Sequence, residues 1–265
     1  MVWRYLLGDL HVHTVLSPCA EVEMIPPLIV ERGRQLGLEI IGITDHNSSQ
    51  NAGAVVEAAS GTGLTVLPGM EVHTREEVHL VCLFDRLEDA LAWQETVFAG
   101  LPDRENDEAF FGAQYVVDAT GELQCSEQRM LSAATALSVE EVVDGVQALG
   151  GIVIAAHVDR PSFSLITNLG WAPPGLAVAG LEITRDANVA GVAARFPQTA
   201  GYGLLAGGDA HRLNELTART MFKVRGPQVA ELALALSGTD GRRVEILDEP
   251  GSVGRGSIRA ADWRI

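Results

Sequence analysis

Short apolar runs alternate with helix-patterned segments along most of this chain, and no other feature constrains its fold so strongly. The alternation is the sign of βαβ units and predicts a largely parallel sheet or barrel. Strands are expected at 5–11, 39–44, 64–70, 78–84, 151–156, 181–184, 203–207, 220–224 and 243–247. Helices are expected at 27–36, 49–59, 87–99, 139–149, 188–196, 213–216 and 228–236. Pro26 and Pro27 suit a helix start, and Ser138 with Glu141 makes a capping box. Gly37 and Gly150 stand where helix ends favour a positive φ.

At 265 residues the chain can build one large α/β domain with its own core. We expect that domain to span residues 1–248. Residues 103–135 break the rhythm: they are acidic and rich in turn formers, and read as an insertion that is either a lid beside a site or a solvated connection. The tail 249–265, with Arg255, Arg259, Arg264 and several glycines, reads as a loosely packed terminus.

The apolar runs fall far short of the ~20 residues needed to cross a bilayer, so no membrane role is expected. The first nine residues lack the features of a secretory leader and read as the opening strand. Cys19, Cys82 and Cys125 have no paired spacing, which suits a reducing, cytoplasmic setting, and Cys82 lies in an apolar run expected in the core. A formal charge of −16 opposes binding to long nucleic acid, whose affinity rests on Lys and Arg at phosphates. Bound divalent ions can still make one pocket positive within an acidic protein.

The seven histidines lie outside the expected helices, and most sit at the C-terminal ends of strands, where α/β folds build their sites. His11 and His13 are at i and i+2, so strand alternation sends both to one face, where they can share an ion. Asp45-His46, Glu71-Val-His73, His157 and Asp209-Ala-His211 end further runs, and His79 opens one. Gly207 and Gly208 allow close backbone approach before Asp209. A lone histidine at a strand end is more often a hydrogen-bonded core or surface group; the conjunction is what points to metal. Imidazoles with carboxylates suit Zn²⁺, Mn²⁺ or Fe²⁺ better than Ca²⁺ or Mg²⁺.

His11-Val-His13-Thr with Ser17, Thr44-Asp45-His46, Gly69-Met-Glu71, Ala156-His157 and Gly208-Asp209-Ala-His211 together resemble the PHP (polymerase and histidinol phosphatase) superfamily of metal-dependent phosphoesterases. The resemblance implies a distorted (β/α)7 barrel, here with an inserted lid-like segment, and two or three divalent metal ions at the C-terminal strand ends. It implies that His11, His13, Glu71 and Asp209 hold one ion, and that Glu71 bridges to a second completed by His79 and His157. A third would use His46 and His211 with a residue after the His-x-His. Family members place Asp or His there; this chain offers Pro18 and Cys19. Cys19 is either a thiolate ligand favouring Zn²⁺ or Fe²⁺, the reading we prefer, or a packing residue. His73 shares a strand face with Glu71 and ranks below His79 as a ligand. Asp45 is expected to orient an imidazole rather than touch metal.

The expected activity is hydrolysis of a small phosphomonoester: a nucleotide, a nucleotide bisphosphate or histidinol phosphate. The expected route is in-line attack by a metal-bridging hydroxide, with Glu71 fixing the bridge. Arg160, three residues after His157, is placed to reach phosphate oxygens, or else forms an ion pair with Asp159 or another acid. A metal-bound water or His211 would serve as general acid. The alternatives are a nuclease or phosphodiesterase on short oligonucleotides and a non-catalytic metal-binding module. Arg160, Arg185 and Arg212, near motif residues, keep the first open, and the nearly complete ligand set argues against the second. A related amide hydrolase fits less well, because the single lysine, Lys223, lies away from the motifs.

Overall fold

The computed structural model describes residues 2–170 and 176–248; the expected tail lies outside the described residues. A nine-stranded sheet forms the body. Its strands are β1 (Arg4–Val12), β2 (Ile40–Ile43), β3 (Thr65–His73), β4 (His79–Leu83), β7 (Ile152–Ala155), β8 (Gly180–Thr184), β9 (Leu204–Gly207), β10 (Thr220–Val224) and β11 (Arg243–Ile246). A separate hairpin pairs β5 (Tyr115–Val117) with β6 (Leu123–Ser126). In space the large sheet runs β11-β10-β1-β2-β3-β4-β7-β8-β9.

The nine expected strands are all present, but the sheet is mixed rather than largely parallel. Two parallel blocks, β1-β2-β3 and β7-β8-β9, flank β4, which is antiparallel to both neighbours. The cause is local: residues 74–78 turn tightly between β3 and β4, pairing His73 with His79 and leaving no room for a crossover helix. At the other end β10 and β11 also run antiparallel.

The sheet curls until its ends nearly meet. His13 N donates to Ala210 O at 3.0 Å and Ala210 N to His11 O at 3.1 Å, bringing the chain beyond β9 against β1. One core cluster joins Leu6, Leu10, Ile40, Leu67, Val81, Ile154, Leu205 and Phe222 from seven strands. Strands from both ends of a sheet can share one cluster only by enclosing it, so the result is a barrel-like α/β fold. Helix α8 (Val229–Leu236) adds Val229, Leu232 and Leu236 to that cluster.

Helices cover the outside. The helices α1 (Pro26–Gln35) and α2 (Ala52–Ala58) pack Ile29, Val30 and Val55 against Leu7 and Ile41. The helices α3 (Leu87–Gly100) and α5 (Val139–Ala148) pack Trp93, Val97, Val142 and Val146 over Met70, Leu80 and the buried Cys82. Each such fully buried side chain contributes roughly 1.5–3 kcal/mol relative to exposure. Ser138 and Glu141 form the expected capping box, with Ser138 N donating to Glu141 at 2.8 Å and Glu141 N to Ser138 at 3.1 Å. Gly37 and Gly150 take φ of 75° and 76°. Helix α7 (Val189–Arg195) follows β8, and the expected helix at 213–216 is a single 3-10 turn, Leu213–Glu215. No helix of the described residues is long and apolar enough to cross a membrane.

The segment 103–135 is more ordered than its composition suggests. It holds α4 (Glu108–Phe111) and the β5–β6 hairpin, and it is fastened to the C-terminal strand ends. Asn47 Nδ2 donates to Leu131 O and Ala133 O, Asn51 Nδ2 donates to Tyr115 O, and Thr135 N donates to His73 O. The segment thus lies against the chain around His46 and His73. Helix α6 (Leu165–Leu169), after β7, was not expected.

Candidate metal centre

Every strand end singled out in the sequence delivers its side chain to one place. His11 and His13 come from the end of β1 and beyond, His46 from the loop after β2, and Glu71 from β3. His79 opens β4, His157 follows β7, and Asp209 and His211 follow β9. Glu71 lies at the middle, fully buried. Its Oε1 is 2.9 Å from His79 Nδ1, 3.2 Å from His157 Nε2 and 3.2 Å from His11 Nε2. Its Oε2 is 2.9 Å from His46 Nδ1. Asp209 Oδ1 lies 3.1 Å from His13 Nε2 and 3.3 Å from His11 Nε2.

Supporting contacts decide which ring nitrogens face the cluster. His11 Nδ1 lies 3.0 Å from both oxygens of Glu182. Ser17 Oγ donates to Asp45 Oδ1 at 2.7 Å, so it can only accept from His13 Nδ1, 2.9 Å away. Both Nδ1 atoms therefore carry protons, and both Nε2 atoms, 3.1 Å apart, are left for a proton or an ion. Two imidazole nitrogens and two carboxylates converging in a buried space require a cation. His11, His13, Glu71 and Asp209 could hold one ion together; so could His46, Glu71 and His79, and so could His13, His46 and His211. His157 Nδ1 is buried without a hydrogen-bond partner among the described residues, and Glu71 Oε2, though 2.9 Å from His46 Nδ1, makes no well-aligned hydrogen bond, which is costly for a buried carboxylate oxygen. The donor set fits divalent metal.

The electrostatics follow from the same crowding. Burial would push the Glu71 carboxyl up, but the imidazoles of His79 and His11 outweigh it and hold Glu71 well below the usual carboxylate range. Burial is likewise outweighed at Asp209, which His11 and His13 hold low. Burial would lower His11, yet the charges of Glu182, Glu71 and Asp209 raise it well above an ordinary histidine. Burial and the neighbouring His211 hold His13 well below that range. Protons on some rings thus supply positive charge that a divalent ion would replace.

The structure places the remaining candidates plainly. Cys19 is exposed at the edge of the cluster, its Sγ 3.3 Å from His46 Nε2. Although the residue is exposed, the groups crowded around its sulfur oppose ionisation of the thiol, but hydrogen bonds from His211 and His46 bring it down to about 6. His73 joins none of the candidate ligand groups: its ring meets that of His79 edge-on at 4.7 Å, and its nitrogens face Ser132 O at 3.3 Å and Glu77 at 3.1 Å. Asp45 accepts from Thr14 N, Thr14 Oγ1 and Ser17 Oγ, so it steadies His13 through Ser17. Arg160 pairs with Asp209, Nη1 to Oδ2 at 2.6 Å, rather than with Asp159, which accepts from Thr184.

Sequence reasoning missed Glu182 and Asp9. Glu182 also accepts from His157 N at 3.1 Å, so one carboxylate braces two ligand candidates. Asp9, fully buried, accepts from His11 N at 3.3 Å, Gly208 N at 2.9 Å and Thr217 N at 2.9 Å. Burial, against those three N–H groups, pushes its carboxyl up to about 7. The available signal was an acid inside an apolar strand run, in Gly180-Leu-Glu-Ile and Leu7-Gly-Asp-Leu. The glycines make room: a Cβ on Gly207 would lie 2.1 Å from Glu182 Oε2, and one on Gly208 2.4 Å from Asp9 Oδ2. His157 and Asp209 take φ of 30° and 42°, a strained region that persists only where the surroundings impose it.

Residues 9–120 match the PHP domain family. No curated protein matches the chain. The fold is similar to the lesion-specific endonuclease PfuEndoQ from Pyrococcus furiosus, with a TM-score of 0.65 and 20% identity over 91% of this chain. The chain spans 58% of that endonuclease. It is also similar to PsfC from Pseudomonas syringae PB-5123, with a TM-score of 0.54 and 15% identity over 93% of this chain and 92% of PsfC. An amidohydrolase from Chromobacterium violaceum, with bound sulfate and no metal, gives 0.52 and 20% identity over 77% of this chain and 87% of its own. At these identities the likenesses establish the fold.

Proposed function

We propose, from the premise that this chain carries a PHP domain, that it is a metal-dependent phosphoesterase acting as a phosphomonoesterase on a small molecule. The observation that carries the reading is the convergence of five imidazoles and a second carboxylate, Asp209, around Glu71. In this reading His11, His13, Glu71 and Asp209 hold one ion, and His79 and His157 share Glu71 with a second. His46, His211 and Cys19 serve a third. Zn²⁺, Mn²⁺ or Fe²⁺ suits that donor set. Bound ions of this kind lower the pKa of water towards ~7 and offset the charge of phosphate oxygens.

The chain's own residues do the rest. Glu71 holds the ligand rings in register by being shared among them. Arg160 keeps one nitrogen on Asp209 and, at 38% side-chain exposure, turns the remaining donors of its guanidinium towards an incoming phosphate. His211 places Nδ1 2.9 Å from Asp209 O, which leaves Nε2 towards the cluster and favours a ligand role over that of proton donor.

Two observations favour a small substrate over a nucleic-acid strand. The chain carries −16 overall. The arginines near the site are engaged: Arg185 with Glu215 at 3.4 Å, and Arg212 with Glu21 at 3.0 Å. The second reading, a phosphodiesterase on short oligonucleotides, is supported by the fold it shares with a lesion-specific endonuclease. The three free cysteines fit a cytoplasmic setting.

The test is to purify the protein without chelator, measure bound metals, and assay phosphate release from sugar phosphates, histidinol phosphate, mononucleotides and nucleotide bisphosphates. Glu71→Ala serves as control. Metal-dependent release from one class, abolished by Glu71→Ala, supports the reading. Cleavage of a labelled oligonucleotide without release from any monoester turns it to the second. A protein that takes up neither Zn²⁺ nor Mn²⁺ refutes both.

A further inference from the structure

The loop after β7 carries His157, Arg160 and Phe163 at three-residue intervals, and the mechanism uses only the first two. Phe163 sits at the cluster's edge. Its ring stacks on His79 with centroids 4.8 Å apart and planes at 18°, and meets His73 edge-on at 5.2 Å. His79 in turn lies 2.9 Å from Glu71. Phe163 is thus one ring removed from the reacting centre, yet it is 39% exposed.

Its backbone is unusual. Phe163 has φ of 56°, a region that bulky side chains rarely adopt and that costs of order 1–3 kcal/mol. Neighbouring contacts impose it. His79 N donates to Phe163 O at 3.0 Å, buried Ser164 donates from Oγ to Val158 O at 2.8 Å, and Thr167 Oγ1 donates to Arg160 O at 2.7 Å. A residue needed only for packing would turn its ring inward. Here the loop keeps a large aromatic ring 39% exposed beside His79, and aromatic rings stack favourably at centroid distances of about 4.5–7 Å.

We propose that Phe163 is the stacking platform for a nucleobase, so that the phosphate monoester taken by this site is a mononucleotide; the inference rests on the phosphoesterase reading above. Arg160 grips the phosphate end and Phe163 the flat end of the same molecule, from one loop. The pairing of Arg185 and Arg212 with acids leaves no row of cations for further phosphates, which argues for a mononucleotide. The competing role is a water shield for His79, which would serve every substrate alike.

The test compares binding by titration calorimetry to manganese-loaded protein, using methylene phosphonate isosteres of adenosine 5′-monophosphate and of glycerol 1-phosphate. Neither turns over. The wild type should bind the nucleotide isostere more tightly, and Phe163→Ala should weaken that binding about 5- to 100-fold, the range for one lost base stack, while shifting the glycerol isostere far less. Phe163→Leu, which keeps apolar cover without an aromatic face, should behave like Phe163→Ala. Equal losses for both isosteres, full rescue by Phe163→Leu, or no preference in the wild type would overturn the proposal. If the preference depends on Phe163 but no phosphomonoester is hydrolysed, the platform stands and the phosphomonoesterase reading falls.

Discussion

His11 Nδ1 lies 3.0 Å from both oxygens of Glu182, so a buried carboxylate outside the set of candidate ligands fixes the ring of one within it. Partners of this kind set the tautomer and basicity of a ligating histidine, and losing one commonly costs 10- to 100-fold in metal affinity. Glu182→Gln should therefore weaken binding of the first ion by about that factor, with little loss of fold, since Gln keeps one acceptor. Competitive titration with a metallochromic chelator reads this directly. Unchanged affinity would mean that His11 needs no brace.

Cys19 stands where the resemblance to the PHP superfamily leads one to expect Asp or His, and its sulfur lies 3.3 Å from His46. If it ligates, cobalt-substituted protein should show a near-ultraviolet thiolate-to-cobalt absorption that Cys19→Ala and Cys19→Asp both abolish. Cys19→Asp should retain the metal content that Cys19→Ala loses, because a carboxylate still donates. An absorption unchanged in both variants would return Cys19 to a packing role.

Gly207 and Gly208 offer a test of close approach. An added Cβ would meet Glu182 at 2.1 Å or Asp9 at 2.4 Å, and both carboxylates are buried and fixed by backbone N–H groups. Neither can swing clear as an exposed side chain would. Gly207→Ala and Gly208→Ala should each destabilise by about 1–3 kcal/mol in urea unfolding, the usual range for overpacking. Gly207→Ala should also weaken metal binding, because it displaces the brace on His11. Wild-type stability in either would show that the site relaxes more freely than its packing implies.

Strand positions were legible because burial on a barrel wall demands apolar runs, and Leu64 to Met70 or Gly151 to Ala156 can hardly be anything else. The reversal at β4 was not. Its turn uses Glu77 at φ 60° rather than the Gly or Asn that would advertise it. The β5–β6 hairpin escaped notice because it is largely exposed and held by long-range contacts, such as Val117 N to Asn51 Oδ1 at 3.0 Å. In the site, the histidines announced themselves by repetition at strand ends. Glu182 and Asp9 did not, because one acid in an apolar run gains its meaning from a residue far along the chain, His11 for one and Thr217 for the other. Phe163 gave no signal at all, since its exposure and backbone angle exist only in three dimensions.

Away from the site, Glu231 on α8 holds Arg242, at the entrance to β11, through two hydrogen bonds of 2.6 and 2.8 Å. Those bonds, with help from Arg225 N, bring the Glu231 carboxyl down to about 2 from an ordinary 4.5. A carboxyl held low in the folded state binds fewer protons than it does unfolded, so it contributes stability above pH 4.5 that fades as pH falls towards 2. Glu231→Gln should therefore lower the melting temperature by a few degrees at pH 7. Its deficit against the wild type should shrink as pH drops through 4.5 and close only below 2, where the Glu231 carboxyl is protonated and neutral like Gln. Raising salt should narrow the deficit at pH 7, because the pair is not fully buried. A deficit that stays constant from pH 7 to 3 would mean that Gln disrupts the packing of α8 on β11, and that the charge of Glu231 contributes nothing.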